Sequence, residues 1–135
     1  MANQQLPSDF NWVKERYDCS PAKVFKQIEL GVKEDIATIQ RVCPGSRETF
    51  DVVGSRNRFV AIRIDDPITS TISEPVSFEL TRTGIKLFDT EGKLKLEATL
   101  TLNLEGECRL NVGDQELVQW QFRKLVLERL FFGPR

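Results

Sequence analysis

The chain has 135 residues and no histidine. The side chains that remain for chemistry are chiefly carboxylates, guanidinium groups and thiols. Without an imidazole, Ser-His-Asp catalysis, Cys-His catalysis and the usual histidine-ligated metal sites are excluded. The three cysteines have no CxxC spacing, and no glycine-rich phosphate loop or GxSxG motif occurs. The sequence therefore predicts no metal site, no cofactor and no catalytic residue, and it favours a protein that is not an enzyme.

Pairs of acidic residues that are close in sequence occur within residues 65–66, 89–91 and 105–107, at a strand end or beside a glycine turn. A calcium site needs several oxygens that converge on one point, and none of these groups matches an EF-hand loop. Aspartate and glutamate are also good turn residues. We interpret these carboxylates as solvated turn residues.

Three arginines are candidates for an anion site: Arg47, Arg56 and Arg58, which fall at or near one predicted hairpin. Guanidinium groups can bind a phosphate or carboxylate bidentately. Acidic neighbours such as Glu48 and Asp51 favour local salt bridges instead. The net charge of −1, with acids and bases mixed along the chain, argues against nucleic acid as a partner.

Residues 47–112 show the period of two that is typical of β-strands, and turn residues separate most of the apolar segments. Six strands are predicted, in the segments TFDVV, RFVAIRI, VSFEL, GIKLF, KLKLEATLTLNL and CRLNV. Because the links are short, the strands should form an antiparallel meander with one apolar face. Residues 65–75 hold two prolines, and they are predicted as an edge strand or loop, with a flap as the alternative.

Three helices flank the predicted sheet. The first is capped by Ser8 or Asp9, and the second has Ser20 as its cap and ends before Pro44. The third should begin after Asp114 and end at residue 133. Residues 1–7 are predicted to be a flexible lead-in to a single domain that spans residues 1–135.

This order predicts an α+β fold. Two N-terminal helices precede a six-stranded meander, and a long C-terminal helix packs on its apolar face, in a helix-grip-like arrangement. That likeness concerns the fold alone and does not determine a function.

The last helix has apolar residues on nearly all sides. One predicted stripe contains Val118, Phe122, Leu125 and Val126 and is expected to face the sheet, with an exchange of the two stripes as the alternative. The other contains Trp120, Leu127 and Phe131, with Leu130 beside it. Three partners for the second stripe remain open: the N-terminal helices, a second copy in a homodimer, or a small apolar ligand.

The odd number of cysteines and the lack of a signal-peptide pattern predict a cytoplasmic protein in which all three thiols are reduced. No apolar run reaches the ~20 residues of a membrane-spanning helix, so no membrane partner is expected.

The function that best fits is a non-catalytic binding or interaction module that self-associates. The alternative is a carrier or cavity enzyme that holds a small apolar ligand between a curved sheet and the helices.

Overall fold

A computed structural model of the chain describes residues 9–43, 48–66, 68 and 71–133, so the expected lead-in of residues 1–7 lies outside the described part. The elements in chain order are α1 (Trp12–Asp18), α2 (Pro21–Val42), β1 (Thr49–Ser55), β2 (Arg58–Asp66), β3 (Thr71–Leu80), β4 (Gly84–Phe88), β5 (Leu94–Leu102), β6 (Cys108–Val112), β7 (Gln115–Leu117) and α3 (Gln119–Phe132). The predicted α+β class, with two helices before the sheet and one after it, is confirmed.

The strands form one sheet in the order β1-β2-β3-β4-β5-β6-β7, and each strand is antiparallel to the next. The meander is as predicted, with seven strands in place of six. The additional strand is β7, where the sequence predicted the first turn of the last helix. Gly113 has a φ of +58°, which glycine adopts without a steric penalty, and the chain turns back so that Gln115 pairs with Val112. The prediction that Asp114 caps the last helix was therefore wrong.

Residues 65–66 and 71–75, within the segment predicted as an edge strand, loop or flap, belong to two paired strands inside the sheet, and residues 67, 69 and 70 lie outside the described part. Strand β2 runs to Asp66, and β3 begins at Thr71 and pairs with it. Two register shifts interrupt the β2–β3 ladder, one between Ala61 and Arg63 and one between Ile64 and Asp66.

Side chains at the helix starts explain where α1 and α2 begin. Asn11 accepts a hydrogen bond from the backbone N–H of Lys14 at 3.2 Å, so Asn11 caps α1 in place of Ser8 or Asp9. Ser20 accepts one from the N–H of Lys23 at 3.4 Å, as predicted for α2.

The core lies between one face of the sheet and the layer made by α2 and α3. At its centre Phe59 stacks on Phe78 with ring centroids 4.4 Å apart, and Phe25 of α2 lies 5.1 Å from Phe59. From α2 the buried side chains are Val24, Phe25, Ile28, Val32, Ile36 and Ile39, and from α3 they are Phe122, Leu127, Leu130 and Phe131. Both helices cover the apolar face, so α3 contacts α2 as well as the sheet.

A disulfide joins Cys19, at the junction of α1 and α2, to Cys108 at the start of β6, with Cα atoms 5.5 Å apart. The prediction that all three thiols are reduced was therefore wrong for this pair. The two cysteines are 89 residues apart in the sequence, and only the packing of α2 on the sheet brings them together. Cys43 is a free, exposed thiol.

Candidate interaction surface

Helix α3 is buried on two adjacent sides, because α2 lies beside it on the sheet. Of the four candidate residues, Leu127, Leu130 and Phe131 are buried and belong to the core, whereas Trp120 is 58% exposed. Leu125, predicted to face the sheet, is 48% exposed. The residues that remain accessible therefore come from both predicted stripes.

An open groove of about 340 Å³ separates α2 from α3 on the outside of the helix layer. The groove is lined by Asp35, Thr38, Ile39 and Val42 of α2 and by Trp120, Arg123, Lys124, Leu127, Glu128, Phe131 and Phe132 of α3. Its buried members, Ile39, Leu127 and Phe131, are also part of the core. We call this feature the α2–α3 groove.

An ion pair connects the two helices at this groove. The Nε of Arg123 donates to the Oδ2 of Asp35 at 2.7 Å. The guanidinium lies over Gly31, where an added Cβ would be 2.6 Å from the Nη1 of Arg123. Gly31 therefore marks a close packing contact between α2 and α3.

The exposed side of α3 carries four residues at intervals of four: Trp120, Lys124, Glu128 and Phe132. Trp120 is 58% exposed and Phe132 is 70% exposed. The side chains of Lys124 and Glu128 are 61% and 58% exposed, and their Nζ and Oε1 atoms are 3.2 Å apart. Because residues four apart lie on the same side of a helix, these residues form a continuous ridge, which we call the α3 ridge.

A second groove, of about 330 Å³, lies on the opposite side of this ridge. Besides ridge residues, Gln115, Leu117, Gln121 and Leu125 line it. We call it the β7–α3 groove. The α3 ridge is thus flanked by a groove on each side, which is the surface shape that allows one helix to pack against another.

The three candidate arginines do not form one described site. Arg56 is exposed in the turn between β1 and β2. Arg58 starts β2, and its Nε donates to the Oγ of Ser77 at 3.0 Å. Arg47 lies outside the described residues. Within the described part, two arginines lie at the same hairpin, and one of them already binds a neighbouring strand.

Arg63 has a structural position that the sequence reasoning missed. It is 3% exposed, and it donates from Nε to the Oδ1 of Asp65 at 2.8 Å and from Nη1 to the carbonyl oxygen of Leu130 at 3.0 Å. That carbonyl belongs to the last turn of α3, where helix carbonyls lack partners within the helix. The signal was present, since the period of two places Arg63 on the same face as Phe59 and Ala61.

A cluster of charges on α1 and the start of α2 contains the described groups with shifted pKa values. Hydrogen bonds from Lys14, at 2.8 Å, and from Lys23, at 3.0 Å, lower the pKa of Asp18 below its ordinary value. The same bond to Asp18 raises the pKa of Lys14. None of these three residues lines the α2–α3 groove.

No protein-family model matches the chain, and neither the curated proteins nor the solved structures contain a similar protein. Within the part of the chain that the structure describes, no group of acidic residues and cysteines could hold a metal ion. None of the helices in that part is long and apolar enough to cross a membrane.

Proposed function

We propose that this protein is a non-catalytic interaction module that self-associates through the α3 ridge and its two flanking grooves. The observation that carries the proposal is the exposure of Trp120 and Phe132 at the two ends of this ridge, at 58% and 70%. Aromatic residues are enriched among the residues that contribute most to binding at protein interfaces. Two exposed aromatic side chains on one helix, beside a groove with a mainly apolar lining, are typical of a surface that binds another protein.

The sheet edges are poor alternatives for assembly. In the edge strand β1, the N–H of Phe50 donates to the Oε1 of Gln40 at 3.3 Å, and the N–H of Val52 donates to the Oδ1 of Asp51 at 2.8 Å. The opposite edge, β7, has three residues. Short strands and edge groups that already have partners disfavour strand addition. This supports the helix surface as the place of self-association.

Sedimentation velocity over a concentration series tests the proposal. The wild-type chain should shift from monomer to dimer between low and high micromolar concentration. Trp120→Ser should shift the midpoint at least tenfold higher, because it removes an exposed aromatic contact of the ridge. Trp12→Ser is the matched control, since Trp12 is 63% exposed on α1, and it should leave the midpoint unchanged. A wild-type chain that stays monomeric at high micromolar concentration would contradict the proposal.

A small apolar ligand is the second candidate, and the α2–α3 groove favours it. Its volume of about 340 Å³ is within the usual range of ligand pockets, roughly 300–1,000 Å³. The expected location between sheet and helices has less support, because the packed rings of Phe25, Phe59 and Phe78 occupy the centre of that layer.

Decanoate is a suitable probe for this second candidate, because its alkyl chain can lie on the apolar wall of the groove and its carboxylate can compete with Asp35 and Glu128 for Arg123 and Lys124. In a Trp12→Phe background, the emission of Trp120 should change saturably as decanoate is added. Thr38→Trp/Trp120→Phe in the same background places an indole in the groove from its exposed α2 side, and decanoate binding measured by calorimetry should then disappear. Equal binding by this variant would exclude the groove as the ligand site.

A further inference from the structure

We infer that two copies of this chain pair through antiparallel α3 ridges about a two-fold axis that passes between Lys124 and Glu128, at the level of Val126 along the helix. This inference rests on the proposed self-association and specifies its geometry. Trp120 and Phe132 are each six residues from Val126, and Lys124 and Glu128 are each two residues from it. An antiparallel pair centred there places Trp120 against the partner's Phe132, and it places Lys124 against the partner's Glu128.

The order of residues along the α3 ridge distinguishes the antiparallel arrangement from a parallel one. A parallel pair would bring Lys124 to the partner's Lys124 and Glu128 to the partner's Glu128, so both contacts would be repulsive. The antiparallel pair gives two contacts of opposite charge and two aromatic contacts. The two copies of each contact are related by the two-fold axis.

The shape of the surface fits the same arrangement. A row of residues spaced by four is inclined at about 26° to the helix axis, so two such rows align when the helix axes cross at about 50°. Each α3 ridge can then lie in a groove of the partner, because the α2–α3 groove and the β7–α3 groove flank it.

The ridge from Trp120 to Phe132 is about 18 Å long at 1.5 Å per residue. A contact of this length is at the small end of specific interfaces, so the dimer should be weak and should dissociate in the micromolar range.

Charge reversal tests the pairing between Lys124 and the partner's Glu128. Lys124→Glu alone gives acidic residues at both positions, and Glu128→Lys alone gives basic residues at both. Each variant should self-associate at least tenfold more weakly than the wild-type chain. An equimolar mixture of the two should form a heterodimer with near wild-type affinity, and the double variant Lys124→Glu/Glu128→Lys should dimerise by itself.

The mixture separates the effect between chains from the effect within one chain. Both single variants lose the attraction between Lys124 and Glu128 of the same helix, which are 3.2 Å apart, and mixing does not restore it. Only a contact between the two chains can recover affinity on mixing. If the wild-type chain dimerises but the mixture associates no better than either variant alone, the antiparallel pairing is wrong and the proposed self-association stands.

Cross-linking gives an independent measure of the orientation. In a Cys43→Ser background, Trp120→Cys and Phe132→Cys chains of different size are treated with a short bismaleimide. The antiparallel pair should give a cross-link in the mixture, whereas either variant alone should give at least tenfold less. Cross-linking of Trp120→Cys to itself would overturn the inferred orientation. If the wild-type chain does not dimerise, the proposed function is overturned as well.

Discussion

Gly31 and Arg123 share one contact between α2 and α3, and each restricts the side chain that the other position can hold. The guanidinium occupies the space where a Cβ of residue 31 would lie, and it bonds to Asp35 in that position. In a helix interior, alanine is favoured over glycine by about 1 kcal/mol. The glycine therefore lowers helix propensity and leaves room for an ion pair between helices.

A double-mutant cycle can measure this coupling. In an Arg123→Ala background, Gly31→Ala should raise the free energy of unfolding by about 1 kcal/mol, the usual difference in helix propensity. In the wild-type background the gain should be smaller by about 0.5 kcal/mol or more, because the new methyl group displaces the guanidinium. Urea denaturation of the four chains provides the measurement. Equal gains in both backgrounds would show that the two positions are independent.

Arg63 illustrates what can be predicted for a single residue. Its face of the sheet follows from the alternation in β2, but its partner in α3 is 67 residues away. Periodicity describes which side a residue faces and contains no information on which distant carbonyl lies there. A buried arginine on an apolar face indicates a partner, and only the packed structure identifies that partner as Leu130.

Replacing Arg63 by methionine should lower the free energy of unfolding by about 2–4 kcal/mol, because it leaves a partly buried carboxylate and a helix carbonyl without this donor. Arg56→Met is the matched control, since Arg56 is exposed in the β1–β2 turn, and its effect should stay within about 0.5 kcal/mol. Urea denaturation of both variants checks the difference. An effect of Arg63→Met no larger than that of the control would exclude the buried role.

At the scale of elements, the boundary between β7 and α3 shows why turn signals are ambiguous. A Gly-Asp pair before an apolar segment is compatible with a helix cap and also with a tight hairpin. Pairing of Val112 with Gln115 selects the hairpin, and the helix begins after Val118. The N–H of Val118 donates to the Oε1 of Gln121 at 3.0 Å. This local contact stabilises a start that the sequence pattern placed a turn earlier.

The disulfide between Cys19 and Cys108 should stabilise the fold by linking the start of α2 to β6. In the chain-entropy model, closing a loop as long as this one stabilises a protein by several kcal/mol, and about 2–4 kcal/mol is typical. Cys19→Ser/Cys108→Ser should therefore unfold at a clearly lower urea concentration than the wild-type chain. Under denaturing, non-reducing conditions the wild-type chain should show one reactive thiol, that of Cys43, which is the free cysteine. Three reactive thiols would contradict the disulfide.

Asp18 should make the attachment of α1 dependent on pH. Its pKa is lowered in the folded chain, so its contribution to stability is complete above the ordinary value of about 3.9 and disappears as pH falls through the folded value. The difference in unfolding free energy between wild type and Asp18→Asn should stay constant from pH 7 to about pH 5 and shrink below about pH 4. Denaturation at pH 7 and pH 3 compares the two chains. A difference that persists unchanged at pH 3 would show that the carboxylate has no such role.

At the scale of the whole molecule, the sheet was more predictable than the helix layer. Alternation along each strand and short turns determine a meander locally, and the seven-stranded order follows that logic. The relation between α2 and α3 depends on contacts between distant residues, such as the bond from Gln119 to Gln27, which are 92 residues apart. Apolar periodicity therefore indicated that α3 has apolar residues on nearly all sides, but it could not identify which side α2 covers and which stays accessible.

The two roles of α3 should separate in a pair of variants on the same helix. Leu127 is 2% exposed, so Leu127→Ser should lower the free energy of unfolding by about 2–5 kcal/mol through the loss of buried apolar contacts. Phe132 is 70% exposed, so Phe132→Ser should leave that free energy within about 0.5 kcal/mol while it weakens self-association. Urea denaturation at a concentration where the chain is monomeric gives the first quantity, and sedimentation velocity gives the second. If Phe132→Ser instead destabilises the monomer and leaves association unchanged, the exposed end of α3 serves the fold rather than a partner.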